Sequence, residues 1–277
     1  MFTYIDNIDD LSLLSSELEQ KPFLGIDTEF RRTTKDNMQL ALLQINDNEE
    51  IYIVDTVLIQ DPKDQCGFLF SDSVTKIFHS CKEDIEAIFS WTGKEMVNLF
   101  DTQLAEAFLN GNYSIGYQAI VEQKLDIRLD KKETRSNWIR RPLTDSQLNY
   151  AVSDVEFLIH LYAQQKGELI KSNKLDWQKQ EIESMISSIF STDNIFEDIP
   201  CKLSKQEEHN ILNKFNHLVL LIAEKEQINS TLFFSKKNQK EFIRLALHKG
   251  KAFALDSVTD WRKSLINECL DEFLELE

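Results

Sequence analysis

Glycine is scarce in this chain. There are seven in 277 residues, and none falls in a GxxxxGK(S/T) or GxGxxG pattern. Loops that cradle nucleotide phosphates are therefore not supported. The four cysteines, Cys66, Cys81, Cys201 and Cys269, form no CxxC pair and no zinc spacing. Reduced thiols of a cytoplasmic protein are the expectation. No apolar run is long enough to span a bilayer. The N-terminal MFTYIDNIDDL is acidic and has no basic flank before an apolar core, so neither a membrane location nor a secretory signal is expected. Basic residues are also in deficit, 31 against 47 acids, for a net charge of −16 and a pI near 4.8. An average of that sign argues against a nucleic-acid partner.

The average hides two basic runs. KKETRSNWIRR (131–141) sets Lys131, Lys132, Arg135, Arg140 and Arg141 against Glu133, and KKNQKEFIRLALHKGK (236–251) sets six Lys or Arg against Glu241. A charge run is usually a solvated face; two of one sign in an acidic chain fit that reading less well. The remaining composition, 42% hydrophobic and 28% charged, is that of a folded protein large enough for one good-sized domain and a smaller one.

The first part reads as α/β. FLGIDTEF (23–30), QLALLQIN (39–46), IYIVD (51–55), TKIFH (75–79) and NLF (98–100) read as strands. Helices are expected somewhere between 56 and 72, over 82–93 closed by Gly93, and over 101–111 with Asp101 as N-cap and Gly111 past its end. Thr144-x-x-Gln147 is a capping-box pattern opening a further helix. Beyond about 164 only helical periodicity is seen: a long candidate over 164–190, then 205–228, 236–249 and 257–276. A boundary is expected in 190–204, around Pro200, separating a domain over 1–190 (core about 20–165) from a helical one over 204–277.

Acids recur where chemistry could use them. Asp27 and Glu29 share one face of the first strand, with Phe23 and Gly25. Two carboxylates on one face are costly to bury unless paired, and oxygen-only ligands suit Mg²⁺ or Mn²⁺. Taken alone, so short a motif is better explained by a strand end with both acids in water. Asp84, opening a helix, is what the helix dipole favours, and His79 reads equally as a satisfied core histidine. Within NYAVSDVEFL (149–158), Tyr150 and Asp154 project within roughly 40° of each other, off the apolar stripe.

Together these residues resemble the DEDD-type 3′–5′ exonucleases of the tyrosine subclass, and most closely the ribonuclease D family. The resemblance rests on DTEFRRT (27–33), QLALLQI (39–45), FHSCKEDIEAI (78–88), LFDTQLAEAFL (99–109) and LDKKETRSNWIRRPLTDSQLNYAVSDVEFL (129–158), in that order. It implies a ribonuclease H-like mixed five-stranded sheet with flanking helices. It implies that Asp27, Glu29, Asp84 and Asp154 hold two divalent ions, Mg²⁺ or Mn²⁺, while Tyr150 positions the attacking water. Gln39, Leu40 and His79 would lie near the 3′-terminal nucleotides. The basic run with Lys131, Lys132, Arg135, Arg140 and Arg141 would hold the strand behind them, with Trp138 stacking on a base or filling the core. The implied substrate is RNA, at single-stranded 3′ ends, with tRNA precursors among them. A DNA 3′–5′ exonuclease and a non-catalytic RNA-binding scaffold are the other readings of the same pattern.

The C-terminal helices, ending in VTDWRKSL (258–265), resemble an HRDC-type module. The chain departs from the family in two respects. Asp36, Asn37 and Met38 stand where aromatic residues and a proline often precede Gln-Leu, and the stretch after Ser204 fits one helical module where two are usual.

Overall fold

A computed structural model describes residues 2–34, 37–59, 61–62, 64–129, 136–191 and 204–270. They form two compact units, Met1–Ala105 with Ile115–Glu168, and Glu106–Ser114 with Leu169–Glu277. The boundary expected over 190–204 falls largely on 192–203, outside the described residues. The contacts group the 175–190 helix with the second unit.

The first unit is built on one mixed sheet. Its strands are β1 (Phe2–Ile5), β2 (Phe23–Thr34), β3 (Asn37–Asn46), β4 (Ile51–Asp55), β5 (Thr75–Phe78) and β6 (Leu99–Asp101), in the order β1-β4-β3-β2-β5-β6. The sheet thus has six strands, where five were expected. The extra one, β1, is a four-residue, mostly half-buried strand pairing parallel to β4 at the edge. β2 and β3, and β3 and β4, pair antiparallel; β5 joins β2, and β6 joins β5, in parallel.

The unit's helices are α1 (Ile8–Leu18), α2 (Gly67–Phe70), α3 (Lys82–Thr92), the first turn of α4 (Thr102–Asn110), α5 (Tyr117–Leu125), α6 (Asp145–Glu156) and most of α7 (Leu158–Lys171). The helix expected between 56 and 72 is only the single turn of α2. The Thr144–Gln147 capping box opens α6, and Gly93 ends α3 at φ +66°. From Leu40 to Asn46, β3 is buried without alternation, because both sheet faces are covered. Ala151 of α6 packs with Leu42 and Ile53 on one face. α3 lies on the other, where Thr28 meets Asp84.

Between Glu29 and Phe30 the register with β3 slips: Glu29 pairs with Leu42 and Phe30 with Leu40, leaving Ala41 as a bulge. The Ala41 carbonyl accepts a hydrogen bond from Arg141 Nη2 at 2.9 Å. The same guanidinium grips Asp55 at the end of β4 through Nε and through Nη2 (2.6 Å), and donates from Nη1 to the Trp138 carbonyl at 2.6 Å. Burial alone would raise the pKa of Asp55. The bonds from Arg141, the Tyr4 hydroxyl and the Val57 N–H outweigh that and hold the carboxyl below its ordinary range. Arg141, expected to hold the nucleic-acid strand, thus has a protein partner. A fully buried Asp55 needs a cationic partner, and Arg141 is committed to it.

The second unit is helical: α8 (Leu175–Phe190), α9 (Lys205–Lys225), α10 (Ser230–Phe233), α11 (Lys236–Lys249), α12 (Lys251–Asp256) and α13 (Asp260–Ile266). The long helix expected over 164–190 breaks between α7 and α8, where Asn173 adopts φ +58°. Its aromatic core stacks Phe215 on Phe242 (5.5 Å) and Trp177 on Trp261 (5.1 Å). Arg262 pairs with Glu181 and donates to the carbonyls of Leu232 and Phe233. Among the described residues no helix is long and apolar enough to cross a membrane.

Removing Arg141 would leave the buried Asp55 charge unpaired and the bulge carbonyl unserved. Arg141→Ala should therefore lower stability by about 3 kcal/mol or more in urea unfolding. A loss within ~0.5 kcal/mol would show the pair to be dispensable.

Candidate active site

Strand alternation places Asp27 and Glu29 on the sheet face that carries α6, which supplies Asp154. One carboxylate oxygen from each of Asp27, Glu29 and Asp154 lies within 4.8 Å of the others. Asp84, in the first turn of α3, is buried, and its Oδ1 accepts the Thr28 hydroxyl at 2.5 Å. It reaches the cluster from the other face, and its charge is the strongest carboxylate influence on Asp27. Tyr150, one turn before Asp154 on α6, gives Asp154 a side-chain hydrogen bond. The five residues read from the motifs are thus drawn together from β2, α3 and α6.

Protein surrounds these acids on most sides, so desolvation dominates their titration. Burial, then the neighbouring charges of Asp84, Asp154 and Glu29, pushes Asp27 well above the ordinary carboxylate range. Burial and the charges of Asp154 and Asp84 raise Glu29 to about 9. Burial raises Asp154 to about 7 against the opposing Tyr150 bond, and Asp84 to about 7 against the Thr28 bond. A divalent cation would reverse this, because it favours the charged form of every acid. The oxygen-only donor set suits Mg²⁺ or Mn²⁺. Beside it, Gln44, directly across from Asp27 on β3, is fully buried with neither amide atom hydrogen-bonded. Protein groups alone leave the polar site incompletely satisfied, which fits an occupant.

The other expected site residues separate. Gln39 is exposed on β3 opposite Arg31, and Leu40 is buried. His79 is half-buried with both ring nitrogens engaged: Nε2 bonds the Ile115 carbonyl at 2.9 Å and Nδ1 the Thr102 hydroxyl at 2.8 Å. Burial lowers its pKa, against the Asp101 charge. Both ring nitrogens thus have protein partners. Trp138 fills the core, its ring 6.0 Å from that of Tyr150. Arg140 is exposed, and Lys131, Lys132 and Arg135 lie outside the described residues. A cleft of about 310 Å³ lined by Phe30, Arg31, Ser136, Asn137 and Trp138 begins one residue past Glu29.

Several supporting residues lie inside the quoted motifs but carry no site role there. Asp101 caps α4 through the N–H groups of Gln103 and Leu104, as expected, but also accepts those of Ser80 (3.0 Å) and Cys81 (2.9 Å), fixing the turn ahead of Asp84. Thr28 is hidden between two acids, and Gln44 is a lone polar residue in the apolar run of β3.

The raised acids carry a pH signature. Folded carboxyls keep protons at a pH where unfolded ones, near 4, have lost them. Their contribution to stability is thus full in acid and is lost as pH rises through the folded values, about 7 for Asp84 and Asp154 and about 9 for Glu29. Thermal unfolding in EDTA should show the melting temperature falling from about pH 5 to about pH 9, and millimolar Mn²⁺ should restore it most at the alkaline end. A metal-free melting temperature that holds or rises across that window would contradict the arrangement.

Comparison with known proteins places the chain. A family model described as 3′–5′ exonuclease matches residues 2–170. Ribonuclease D of Shewanella sp. (strain ANA-3) is 34% identical over 192 residues, 69% of this chain and 50% of its own length. Escherichia coli RNase D, described as an exoribonuclease involved in structured RNA processing, matches with a TM-score of 0.67 at 24% identity, covering 100% of this chain and 76% of its own. Brucella melitensis NrnC with bound Mg²⁺ matches with a TM-score of 0.59 at 21% identity, over 70% of this chain and 97% of its own. At such identities the structural likeness shows the fold. The chain spans about half the length of the curated relatives it matches. The family match extends over most of the chain and takes in β2, α3 and α6 with all their acids, and so the protein belongs to the 3′–5′ exonuclease family.

Proposed function

We propose that this chain is a two-metal-ion 3′–5′ exoribonuclease, releasing nucleoside 5′-monophosphates from single-stranded RNA ends, tRNA precursors among them. The observation that carries it is the meeting of Asp27, Glu29 and Asp154 oxygens within 4.8 Å, with Asp84 and Tyr150 attached to the same cluster. RNA as substrate is supported by the relatives named ribonuclease D.

Asp27, Glu29, Asp84 and Asp154 would hold the ions, Mg²⁺ or Mn²⁺; the fold neighbour with bound Mg²⁺ supports the first. Such ions supply the positive charge that activates the attacking water and stabilises both attacking and leaving oxygens. The Tyr150 hydroxyl, tied to Asp154 one helical turn away, orients the water for in-line attack. The cleft of Phe30, Arg31 and Asn137 takes the terminal nucleotide: the Phe30 ring offers a stacking surface, and Arg31, with exposed Arg140, offers phosphate contacts. Gln39 lies at the rim of this end of the sheet. The helical region 204–277 would act as an HRDC-like module that guides longer RNA. The free thiols of Cys66, Cys81 and Cys269 support a reducing compartment, the cytoplasm.

The test is digestion of 5′-labelled single-stranded RNA, DNA and tRNA with Mg²⁺ or Mn²⁺, reading products by size and end group. RNA should shorten stepwise from its 3′ end, release 5′-monophosphates and stop in excess EDTA. Asp27→Asn should abolish turnover. Tyr150→Phe should cut kcat roughly 100-fold while Mn²⁺ affinity stays near that of the wild type. Arg140→Ala should raise KM more than it lowers kcat. Degradation surviving EDTA, or 3′-phosphate products, would overturn the proposal; DNA degraded in preference to RNA would reassign the substrate.

A further inference from the structure

We propose that Asn46 and Tyr117 are positioning residues: they lock the break between α6 and α7 and thereby hold Asp154 against Asp27 and Glu29. This rests on the reading that those carboxylates bind cations, and adds to it the residues that place one of them.

The helix carrying Asp154 stops two residues later. α6 ends at Glu156, α7 starts at Leu158, and Phe157 between them has φ −108° and ψ 1°. A break there takes from the Val155 and Glu156 carbonyls the N–H groups four residues on that a continuous helix would bring, while the cap N–H of Phe157, shared with Tyr117, also turns toward the Val155 carbonyl. Inside a protein such groups need other partners. Asn46, at the end of β3, supplies them: its Nδ2 donates to the Val155 carbonyl at 3.1 Å and to the Glu156 carbonyl at 3.2 Å. Its Oδ1 accepts the Asn48 N–H at 2.8 Å, which leaves the amide one orientation. The Phe157 N–H donates to the Tyr117 hydroxyl oxygen at 3.0 Å. Gly25, opposite Asn46 in the β2–β3 register, admits the approach: a Cβ there would stand 3.1 Å from Leu158 Cβ and 3.4 Å from the Val155 carbonyl.

The clamp is itself held. The Tyr117 ring meets the His79 ring edge-on at 5.7 Å, and His79 is fixed through Thr102 and Ile115. A use thus emerges for a histidine whose two ring nitrogens both have protein partners. The strands that carry Asp27 and pair with it also carry Gly25 and Asn46. Two of the three acids in the cluster therefore reach Asp154 through one short route of sheet and hydrogen bonds. Released from the clamp, the α6–α7 junction could regain the continuous helical bonds, and Asp154 would turn away from its partners.

The variants that test this are Tyr117→Phe, which deletes one atom and keeps the ring, and Asn46→Ala. Calorimetric Mn²⁺ titration, kinetics on a short single-stranded RNA and thermal unfolding are read together. Each variant should bind Mn²⁺ about 10-fold more weakly and lose a comparable factor in kcat, with KM nearly unchanged. Saturating Mn²⁺ should recover part of the lost kcat. Wild-type Mn²⁺ affinity and kcat in the folded Tyr117→Phe protein, with only a lowered melting temperature, would overturn the positioning role and leave the proposed function standing. A wild type that binds no Mn²⁺ would overturn the cation-binding reading, and this role with it. Should Asn46→Ala not fold, Tyr117→Phe still decides.

Discussion

Four carboxylates crowd into a space where water cannot fully serve them, and the rest of the structure is arranged around that repulsion. Left to themselves, Asp27, Glu29, Asp84 and Asp154 would retain protons or move apart. Three elements prevent them from moving. β2 fixes Asp27 and Glu29 by alternation alone. Asp101 fixes the turn before Asp84, and Thr28 takes its carboxylate. The α6–α7 break fixes Asp154. A charge cluster held this firmly is what a preorganised cation site requires, since little rearrangement remains to be done on binding.

Stability for such a site has to come from elsewhere. β3, the strand next to the acids, is buried on both faces over seven consecutive positions, Leu40 to Asn46. The one irregularity beside the site, the Ala41 bulge, is stitched down by Arg141, which also neutralises Asp55. The basic run that contains Arg141 therefore divides between two tasks. Arg141 faces inward and carries structure, whereas Arg140, the preceding residue, stays in solvent. A count of charges along the chain cannot separate them. The buried carboxylate that claims Arg141 lies 86 residues away.

Much of this was legible beforehand. The Asp-x-Glu strand, the capping box of α6, the αL glycine of α3 and the Asp101 cap all have local causes, and local causes show in short windows. The misses were of two kinds. Some were weak local signals: β1 is four residues at an edge, and the 164–190 helix is interrupted at an asparagine, one of the few residues that adopts positive φ at low cost. Others were purely tertiary. Asn46 and Gln44 fall in a stretch that reads simply as a strand, and Tyr117 in one that carries no element signal. Only the folded chain brings Asn46 and Tyr117 to the same break, 109 and 40 residues from their partners. His79 is a further case: the partners of its two ring nitrogens, Thr102 and Ile115, lie 23 and 36 residues away.

The central claim is that these four acids hold divalent cations as a unit. The most direct measurement is anomalous diffraction from crystals soaked in Mn²⁺. The account predicts strong manganese peaks bonded to oxygens of Asp27, Glu29, Asp84 and Asp154, with the Asn46–Val155 and Tyr117–Phe157 hydrogen bonds unbroken. Clear density for the side chains with no manganese among them, or manganese bound only elsewhere, would contradict it.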